Sequence, residues 1–406
     1  MTVNPQELLV WLGTRLDDNL DALRRLVAIN SFTANAEGVN AQGRLTAELF
    51  ADLGFTAEFI ASETAGYGHH LFLSRPAHQP GARRILLVSH LDTVYPPEEE
   101  LAHDFRWDPA PEEGRIYGPG TIDIKGGTTL LLLTLEGLRR FAPDVLEAHT
   151  WVLAFDASEE VISRDFPTRT TERCPGGAVA VLVFEGGPLV NGTWQIVQSR
   201  KGRDLFRITA RGRGAHAGSA HKEGINAIVS LSAAVQEAAR LTDHGAGLTV
   251  NVGLIRGGTV VNRVPHEASA ELEVRAYDPA LLDQTAQALE ALACPLGPDQ
   301  AEIRVECIGR SPAWPASPES IDLASHWIEA ARALGLTLQP GPRGGLSDAN
   351  YLCHLGPTLD GLGPSGGNAH CSERAPDRSK LPEYVEPGTF ATKAAINIAA
   401  LLRLLS

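Results

Sequence analysis

Apolar residues recur along this chain with two different spacings, which predicts a mixture of helices and strands. A helical spacing runs through residues 5–29 and again through residues 40–53, where Gly54 ends the pattern. Short apolar runs predict strands, and the best defined are residues 55–60, 68–74, 83–88, 150–155 and 178–184. We expect the first two at the edge of a sheet and the run around Ile85 as a buried central strand. The acidic, proline-rich stretch after Asp92 is predicted to be a loop.

Polar side chains follow three of these predicted strands. His90 and Asp92 follow the central strand, Glu159 and Glu160 follow residues 150–155, and Glu185 follows residues 178–184. Each has an ordinary alternative, since His90 could be a core histidine and the glutamate pair could begin a solvated helix. In open α/β sheets, however, ligands bind in the crevice at the carboxyl ends of the strands. Coincidence is therefore the poorer explanation.

Two further residues extend this set. Asp123 lies between two glycine-rich turns at the start of a helix expected at residues 128–140, where capping of that helix is the structural alternative. His370 follows a glycine-rich loop beyond a strand expected at residues 357–362. Two divalent ions of the Zn²⁺ type, about 3.5–4 Å apart, could share Asp123 as a bridge. The predicted ligands are His90, Asp123, Glu160, Glu185 and His370. Asp92 would orient His90, and Glu159 is the candidate general base.

Residues 203–308 follow a different order of elements. Strands are predicted at 203–211, 248–256, 268–276 and 302–308, with helices at 225–241 and 279–292. This β-α-β-β-α-β order is the split-βαβ plan of a compact domain. Helical patterns resume at 320–334 and 387–405, after a proline-rich hinge at 311–315. We therefore expect a discontinuous metal-binding catalytic domain of residues 1–200 and 312–406, and an inserted domain of residues 201–311.

Composition narrows the class of protein. A chain of 406 residues with 43% hydrophobic content can fill the cores of two domains. The net charge of -14 disfavours binding to nucleic acids or anionic membranes. We found neither an apolar run of the roughly 20 residues that cross a bilayer nor a basic, signal-like start. The five scattered cysteines are typical of a reduced, cytoplasmic protein.

Seven separate signals resemble, in order and spacing, the co-catalytic zinc peptidases. That family includes bacterial glutamate carboxypeptidase, aminoacylase and the acetylornithine and succinyl-diaminopimelate deacylases. The signals are SHLDTVYP at 89–96, YGPGTIDIKGG at 117–127, EE at 159–160, Glu185, GRGAHAG at 212–218, GGLSD at 344–348 and His370. The resemblance implies an α/β phosphorylase/hydrolase-like catalytic domain with a mixed central sheet flanked by helices. It also implies an inserted ferredoxin-like α+β lid through which two subunits dimerise.

The resemblance also implies roles for individual residues. One zinc would be held by His90, Asp123 and Glu185, and the other by Asp123, Glu160 and His370. Asp92 would orient His90, Glu159 would act as the acid/base residue, and His216 would reach the site of a neighbouring subunit. The substrate's carboxylate end would be contacted by Asn262, Arg275 and Gly345. An arginine fork suits a carboxylate, although a salt bridge on the strand face is the alternative for Arg275.

These expectations define a metal-dependent hydrolase that cleaves an amide bond beside a free carboxylate. A glutamate-type carboxypeptidase is the first choice, and an N-acyl amino acid deacylase or a dipeptidase is the alternative. A catalytically inactive ligand-binding relative is disfavoured because Glu159 is intact. Ser158 replaces the acid usual at its position, and residues 161–177 depart from the family pattern with Arg164, Arg169 and Arg173. These arginines could alter which side chain the pocket accepts.

Overall fold

The computed structural model describes residues 4–79 and 81–405. Residues 1–3, part of the start that shows no signal-like pattern, lie outside the described residues. The helices are α1 (Pro5–Thr14), α2 (Leu16–Val27), α3 (Ala36–Phe50), α4 (Pro97–Ala102), α5 (Lys125–Phe141), α6 (Pro143–Ala148), α7 (Phe166–Arg173), α8 (Ala227–Ala239), α9 (Pro279–Glu290), α10 (Pro318–Ala333), α11 (Asp348–Leu352) and α12 (Phe390–Leu405). The strands are β1 (Thr56–Ala61), β2 (His69–Arg75), β3 (Arg84–His90), β4 (Asp108–Ala110), β5 (Arg115–Tyr117), β6 (Thr150–Asp156), β7 (Ala180–Val183), β8 (Leu189–Val190), β9 (Thr193–Arg200), β10 (Gly202–Arg211), β11 (Thr249–Gly257), β12 (Glu267–Ala276), β13 (Glu302–Ser311), β14 (Thr337–Arg343), β15 (Thr358–Leu359), β16 (Gly366–Gly367) and β17 (Tyr384–Val385).

The chain folds into two compact units, one inserted in the other. The first unit comprises Met1–Gln198, Ala316–Pro342 and Ser347–Ser406, and the second comprises Ser199–Pro315 and Arg343–Leu346. The short segment Arg343–Leu346 returns to the second unit long after the main insertion has ended. The domain boundaries expected from the sequence did not include this return.

A six-stranded mixed sheet organises the first unit. Its strand order is β1-β2-β6-β3-β7-β15, in which β3 runs parallel to both β6 and β7. The central position of β3 is as predicted, and Ile85 to Val88 are fully buried. The prediction that β2 lies at the sheet edge is wrong, since it pairs with β1 on one side and β6 on the other. Its residues Leu71, Phe72 and Leu73 are accordingly buried.

Two predicted elements of the first unit differ from those observed. The helical pattern at 5–29 forms two helices, because the chain leaves regular helix at Arg15 between α1 and α2. The stretch after Asp92, predicted to be a loop, contains α4, β4 and β5. Strands β4 and β5 join β17 and β16 in a small sheet of order β16-β17-β5-β4. This sheet holds the two ends of the loop that carries His370.

The last helix of the first unit is apolar on most sides. The segment Pro387–Leu405 is 19 residues long and apolar enough to cross a membrane by length and composition. The sequence pattern predicted a helix at 387–405 and did not indicate a membrane span there. Within the unit, α12 packs against α5 and α10, and its buried residues include Ile396, Ile398 and Leu401. Those contacts are what a core helix makes, and length and composition alone are weak evidence for a membrane span.

The second unit has the predicted ferredoxin-like fold. Its antiparallel sheet has the order β11-β12-β10-β13, and α8 and α9 pack on that sheet. Strands β10 and β12 pair along their full lengths, from Gly202 opposite Ala276 to Arg211 opposite Glu267. The sheet therefore has two well-separated ends, which becomes important for the residues expected to bind substrate.

Candidate metal centre

The carboxyl ends of three neighbouring parallel strands deliver polar side chains to one edge of the first unit's sheet. Strand β3 ends at His90, directly opposite Asp156 at the end of β6. A short turn, Glu159–Val161, follows β6, and Glu185 comes two residues after β7. Because all three strands run in the same direction, their ends meet in one crevice.

Five side chains predicted to bind metal lie together at this edge. His90 Nε2 lies 3.1 Å from Asp123 Oδ1 and 3.8 Å from Glu185 Oε1. His370 Nε2 lies 3.2 Å from Asp123 Oδ2 and 3.1 Å from Glu160 Oε2. The ligand atoms within each trio are no more than 4.8 Å apart. Asp123 thus turns one carboxylate oxygen towards each trio.

The two trios fit divalent cations. Two atoms that each lie about 2.0–2.1 Å from a tetrahedral zinc ion stand about 3.3 Å from each other. The four nitrogen–oxygen separations, 3.1, 3.8, 3.2 and 3.1 Å, cluster around that value. Imidazole and carboxylate are also donors that Zn²⁺ accepts. Glu160 Oε1 is buried and has no hydrogen-bond partner among the described residues, as expected of an atom that faces an ion.

Negative charge accumulates in the crevice. Burial, together with Asp123, raises the pKa of Glu160 to about 7. Burial also raises the pKa of Glu159 well above its usual value, with Glu185 and Glu160 contributing through their charges. Hydrogen bonds that His370 donates to Asp123 and Glu160 raise the pKa of His370 to about 11. Carboxylates outnumber imidazoles here, so the cluster favours a cation as its occupant.

Asp92 supports three members of the cluster. Its Oδ1 accepts the N–H of Glu159 at 3.1 Å, and its Oδ2 accepts the N–H of Glu160 at 3.3 Å and the hydroxyl of Thr33 at 2.6 Å. His90 Nδ1 lies 3.0 Å from the backbone oxygen of Asp92 and 3.3 Å from its Oδ1. Asp92 therefore contacts the His90 ring and also accepts backbone N–H groups of the glutamate pair. The sequence analysis did not anticipate Thr33.

The glutamate pair does not begin a solvated helix. It forms a single 3-10 turn, and Glu160 is only 5% exposed. Ser158, which replaces the usual acid, is buried and donates its backbone N–H to Asp156 Oδ1 at 2.9 Å. The backbone nitrogen of Ala157 lies 3.1 Å from Nδ1 of the fully buried His70. The backbone leading into the pair is thus hydrogen-bonded to buried polar groups.

His70 sits between two buried aspartates. Its Nδ1 lies 3.1 Å from Asp156 Oδ1, and its Nε2 lies 3.3 Å from Asp165 Oδ1. Burial alone would lower the pKa of His70, but the hydrogen bonds and charges of the two aspartates outweigh it and raise that pKa. Asp165 belongs to the unusual stretch 161–177. That stretch therefore helps to support the strand end beneath the glutamate pair.

Two arginines of the unusual stretch form ion pairs with glutamates of β1 and of the turn that follows it. Arg169 pairs with Glu63 at 2.9 Å, and Arg173 pairs with Glu58 at 2.8 Å. Arg173 also lies over the Phe72 ring, 4.3 Å from its centroid. These contacts attach α7 to β1, β2 and the turn between them. Whether these arginines alter which side chain the pocket accepts stays a prediction.

Asp348 is a buried carboxylate to which the sequence analysis gave no role. It follows Ser347, whose hydroxyl caps α11. Burial and the nearby charges of Asp156 and Glu159 raise the pKa of Asp348 well above its usual value. The GGLSD motif, which the sequence analysis used only for the resemblance, therefore places a carboxyl group near the candidate base.

In the second unit, His216 and Asn262 are neighbours. His216 is exposed, and its Nδ1 accepts the N–H groups of Gly218 and Ser219, both at 3.1 Å. Ala217 donates its N–H to the backbone oxygen of Asn262 at 3.0 Å. A neutral His216 ring therefore carries its hydrogen on Nε2, where it can be donated to an anionic oxygen.

Arg275 and Gly345 form a second group in the same unit. Arg275 makes the strand-face salt bridge considered as an alternative, with Nε 2.9 Å from Glu273 Oε1, and also donates to the Gly344 oxygen at 3.2 Å. Arg200 donates to the Gly345 oxygen at 2.9 Å. Burial, together with the charge of Arg275, lowers the pKa of Lys201. Cationic side chains thus surround the segment Arg343–Leu346.

These two groups lie at opposite ends of the second unit's sheet. Arg275 is near the carboxyl end of β12, whereas Asn262 precedes its first residue. The 10 residues of β12 span about 30 Å, since a strand rises about 3.4 Å per residue. Asn262 and Arg275 of one chain therefore cannot contact the same small carboxylate.

Comparisons with known proteins agree with this architecture. A family model described as a peptidase dimerisation domain matches residues 198–300. Carboxypeptidase G2 of Pseudomonas sp. strain RS-16 is 29% identical over 372 residues, which cover 90% of this chain and 84% of that protein. The structure of the M20 family metallo-carboxypeptidase Sso-CP2 from Sulfolobus solfataricus superposes with a TM-score of 0.67 at 17% identity, covering 95% of this chain and 98% of that one. These similarities support the M20 zinc metallopeptidase family for this chain.

A further solved structure has a similar fold. Aminopeptidase PepT from Bacillus cereus matches with a TM-score of 0.74 at 22% identity, over 96% of this chain and 99% of that chain. The similar peptidases support a peptidase or amidohydrolase as the class of enzyme. M20 peptidases use divalent metals, typically zinc, and the two side-chain trios described above are the candidate groups in this chain.

Proposed function

We propose that the protein is a two-zinc carboxypeptidase that removes a C-terminal residue of the glutamate type. The observation that carries this proposal is the position of Asp123, whose two oxygens face His90 at 3.1 Å and His370 at 3.2 Å. A carboxylate with one oxygen facing each trio could contact two ions. Glu185 would help to hold one ion and Glu160 the other. When bound, the ions would polarise the scissile carbonyl and lower the pKa of the attacking water.

Glu159 is assigned the proton transfers. It follows the strand end beside the trios, and its carboxyl group interacts with the charges of His90, Glu185, Glu160 and Asp123. It takes a proton from the attacking water and delivers it to the leaving amide nitrogen. Asp92 keeps Glu159 in place through its backbone N–H at 3.1 Å. Glu159 thus lies beside the predicted metal ligands and belongs to neither trio, as expected of a general base.

The basic group at the Arg343–Leu346 segment supports an acidic substrate. Lys201 and Arg275 lie close enough for the charge of one to lower the pKa of the other. Like charges are held together at some cost, which an anionic ligand between or beside them would offset. A C-terminal glutamate has two carboxylates to offer such a group. The similarity to carboxypeptidase G2 over most of its length supports a carboxypeptidase.

A homodimer would complete the site. His216 and Asn262 lie at the far end of the second unit's sheet from Arg275 and Gly345, so one chain cannot bring all four to one small substrate. We assign His216 and Asn262 to the substrate bound by the other subunit, where His216 Nε2–H would donate to the oxyanion of the tetrahedral intermediate. The match of residues 198–300 to a dimerisation domain supports this assembly.

A substrate panel with one variant tests the proposal. The full-length zinc-loaded protein should hydrolyse a peptide with C-terminal glutamate faster than N-acetyl-ornithine or succinyl-diaminopimelate. Glu159→Gln should lower kcat by about 10²–10⁴-fold, the usual contribution of a general base, and leave zinc content unchanged. Activity confined to the two acylated amino acids would instead establish a deacylase. Wild-type activity in Glu159→Gln would refute the role of Glu159.

A further inference from the structure

Glu383 is a fully buried carboxylate to which neither the sequence analysis nor the proposed mechanism gives a role. Its side chain is 0% exposed. Oε1 accepts two backbone N–H groups, from Ile122 at 2.8 Å and from Asp123 at 3.0 Å. Oε2 accepts the hydroxyl of Tyr95 at 2.6 Å. Three donors therefore converge on one carboxylate, and one of them is the backbone of the predicted bridging ligand.

The backbone of Glu383 contacts the segment that carries the other ligand. Its N–H donates to the Cys371 oxygen at 2.7 Å, and its oxygen accepts the N–H of Gly118 at 3.2 Å. Cys371 directly follows His370, whose side chain is 56% exposed and whose φ of 65° is unusual for a residue other than glycine. The exposed His370 loop is thus closed at its base by Glu383.

Buried groups around Glu383 account for a carboxylate at this place. Lys125 is 1% exposed, donates from Nζ to the Ile29 oxygen at 2.8 Å, and interacts with the charge of Glu383. Tyr95 is 1% exposed and has Glu383 as its hydroxyl partner. A buried carboxylate with three donors and a nearby cation is satisfied. Because Glu383 Oε1 accepts the N–H groups of both Ile122 and Asp123, it also fixes the backbone that carries the Asp123 side chain.

We propose that Glu383 is a positioning residue for the metal centre. Its carboxylate fixes the peptide of Asp123, its backbone fixes the base of the His370 loop, and so it aligns two ligands that belong to one trio. The inference rests on the metal centre of the proposed function but not on the choice of substrate. Partners outside the ligand set typically change metal affinity by 10–100-fold when they are removed.

The sharpest test compares three variants of the full-length protein. Glu383→Gln keeps an oxygen for the two N–H groups but loses the charge, whereas Glu383→Ala removes the acceptor altogether. Glu386→Gln is the matched control, because it makes the same change three residues away. The Glu386 carboxylate accepts a hydrogen bond from the hydroxyl of Ser365 at 2.8 Å, and Ser365 is not one of the predicted ligands. Zn²⁺ affinity is measured by chelator competition. The visible spectrum of the Co²⁺ form reports the coordination geometry, and thermal unfolding is followed on metal-free protein.

The expected result is a loss of metal binding that stability does not explain. Relative to Glu386→Gln, at least one of the two zinc affinities should fall about 10-fold in Glu383→Gln and about 100-fold in Glu383→Ala. The Co²⁺ spectrum should change in the same order, while metal-free Glu383→Gln melts within about 4 °C of the control. If Glu383→Ala does not fold, Tyr95→Phe replaces it, and a smaller loss of zinc affinity in the same direction is expected.

Other outcomes overturn the proposal. The two zinc affinities are compared with those of the control in Glu383→Gln and in Glu383→Ala, or in Tyr95→Phe if Glu383→Ala does not fold. If all of them lie within about twofold of the control, Glu383 has a structural role only. A wild-type protein that binds no zinc would overturn both this inference and the metal centre. A wild-type protein that binds two zinc ions but cleaves no peptide would refute the proposed function alone, and the ordering of the Glu383 variants would still decide this inference.

Discussion

Replacing Asp92 with asparagine should weaken both folding and metal binding, and metal binding more strongly. The Asp92 carboxylate is 1% exposed and accepts three donors, from Glu159, Glu160 and Thr33. Asparagine has one side-chain oxygen, which can accept the N–H of either Glu159 or Glu160 but not both. The Thr33 hydroxyl can rotate and accept a hydrogen bond from the new amide NH₂. One backbone N–H is therefore left without an acceptor. A buried donor without a partner costs about 1–3 kcal/mol. The melting temperature should fall by about 2–4 °C for each kcal/mol.

The effect of the same change on the metal centre should be larger. Asp92 also contacts His90 Nδ1 at 3.3 Å, and a neutral amide no longer stabilises the orientation of that ring. We expect zinc affinity to fall about 10–100-fold, measured by chelator competition on folded protein. Asp360→Asn is the control, because Asp360 is equally buried and accepts the Ser347 hydroxyl and the Gly361 N–H. Equal zinc affinity in the two variants would refute the supporting role of Asp92.

Three more predictions concern the substrate, stability and assembly. Lys201→Met should raise KM for a C-terminal glutamate peptide about 10-fold or more, the cost of one charged hydrogen bond, and an effect no larger than that of exposed Lys222→Met would contradict it. The pKa of His70 is raised above its unfolded value, so its stabilisation is complete below about pH 6.5 and is lost as pH rises through the folded pKa. His70→Gln should therefore lower the free energy of unfolding of metal-free protein in urea more at about pH 6 than at about pH 9; equal losses would count against it. Mixed dimers of Glu159→Gln and His216→Ala chains, each nearly inactive alone, should recover about a quarter of wild-type activity if subunits combine at random, and no recovery would exclude a shared site.

The strand ends of the metal centre could be predicted because their signals are local. The apolar run at Ile85 can only be a buried strand, and the polar residue that ends each such run lies where parallel strands meet. The alternation of strands and helices identified the second unit in the same way. Asp123 and His370 required more than periodicity: the glycine-rich turns beside them marked both as candidates, and the resemblance to zinc peptidases then gave each its place in a trio.

Other features left no local pattern to detect. Strands β4 and β5 have three residues each, too few for a period of two to show, so the stretch after Asp92 was predicted to be a loop. The position of β2 inside the sheet depends on its pairing with β6, some 80 residues later in sequence. The return of Arg343–Leu346 to the second unit is likewise a contact between segments far apart in sequence.

Supporting residues were the hardest to predict. Glu383 lies between a proline and a tyrosine in a polar stretch, where a glutamate is ordinarily solvated. Its role follows only from contacts with Ile122 and Asp123, 261 and 260 positions away. His70 and Thr33 are similar cases, since nothing in their sequence neighbourhoods indicates that they support the turn at Glu159.

The number of zinc ions per chain, measured in wild type and in two ligand variants, tests the central claim most directly. Because Asp123 faces both His90 and His370, the wild-type protein should hold two zinc ions and Asp123→Ala should retain neither at micromolar free zinc. Glu185→Ala should lose only one, since Glu185 belongs to a single trio. One zinc or none in the wild type, or two in Asp123→Ala, would contradict a shared two-metal centre.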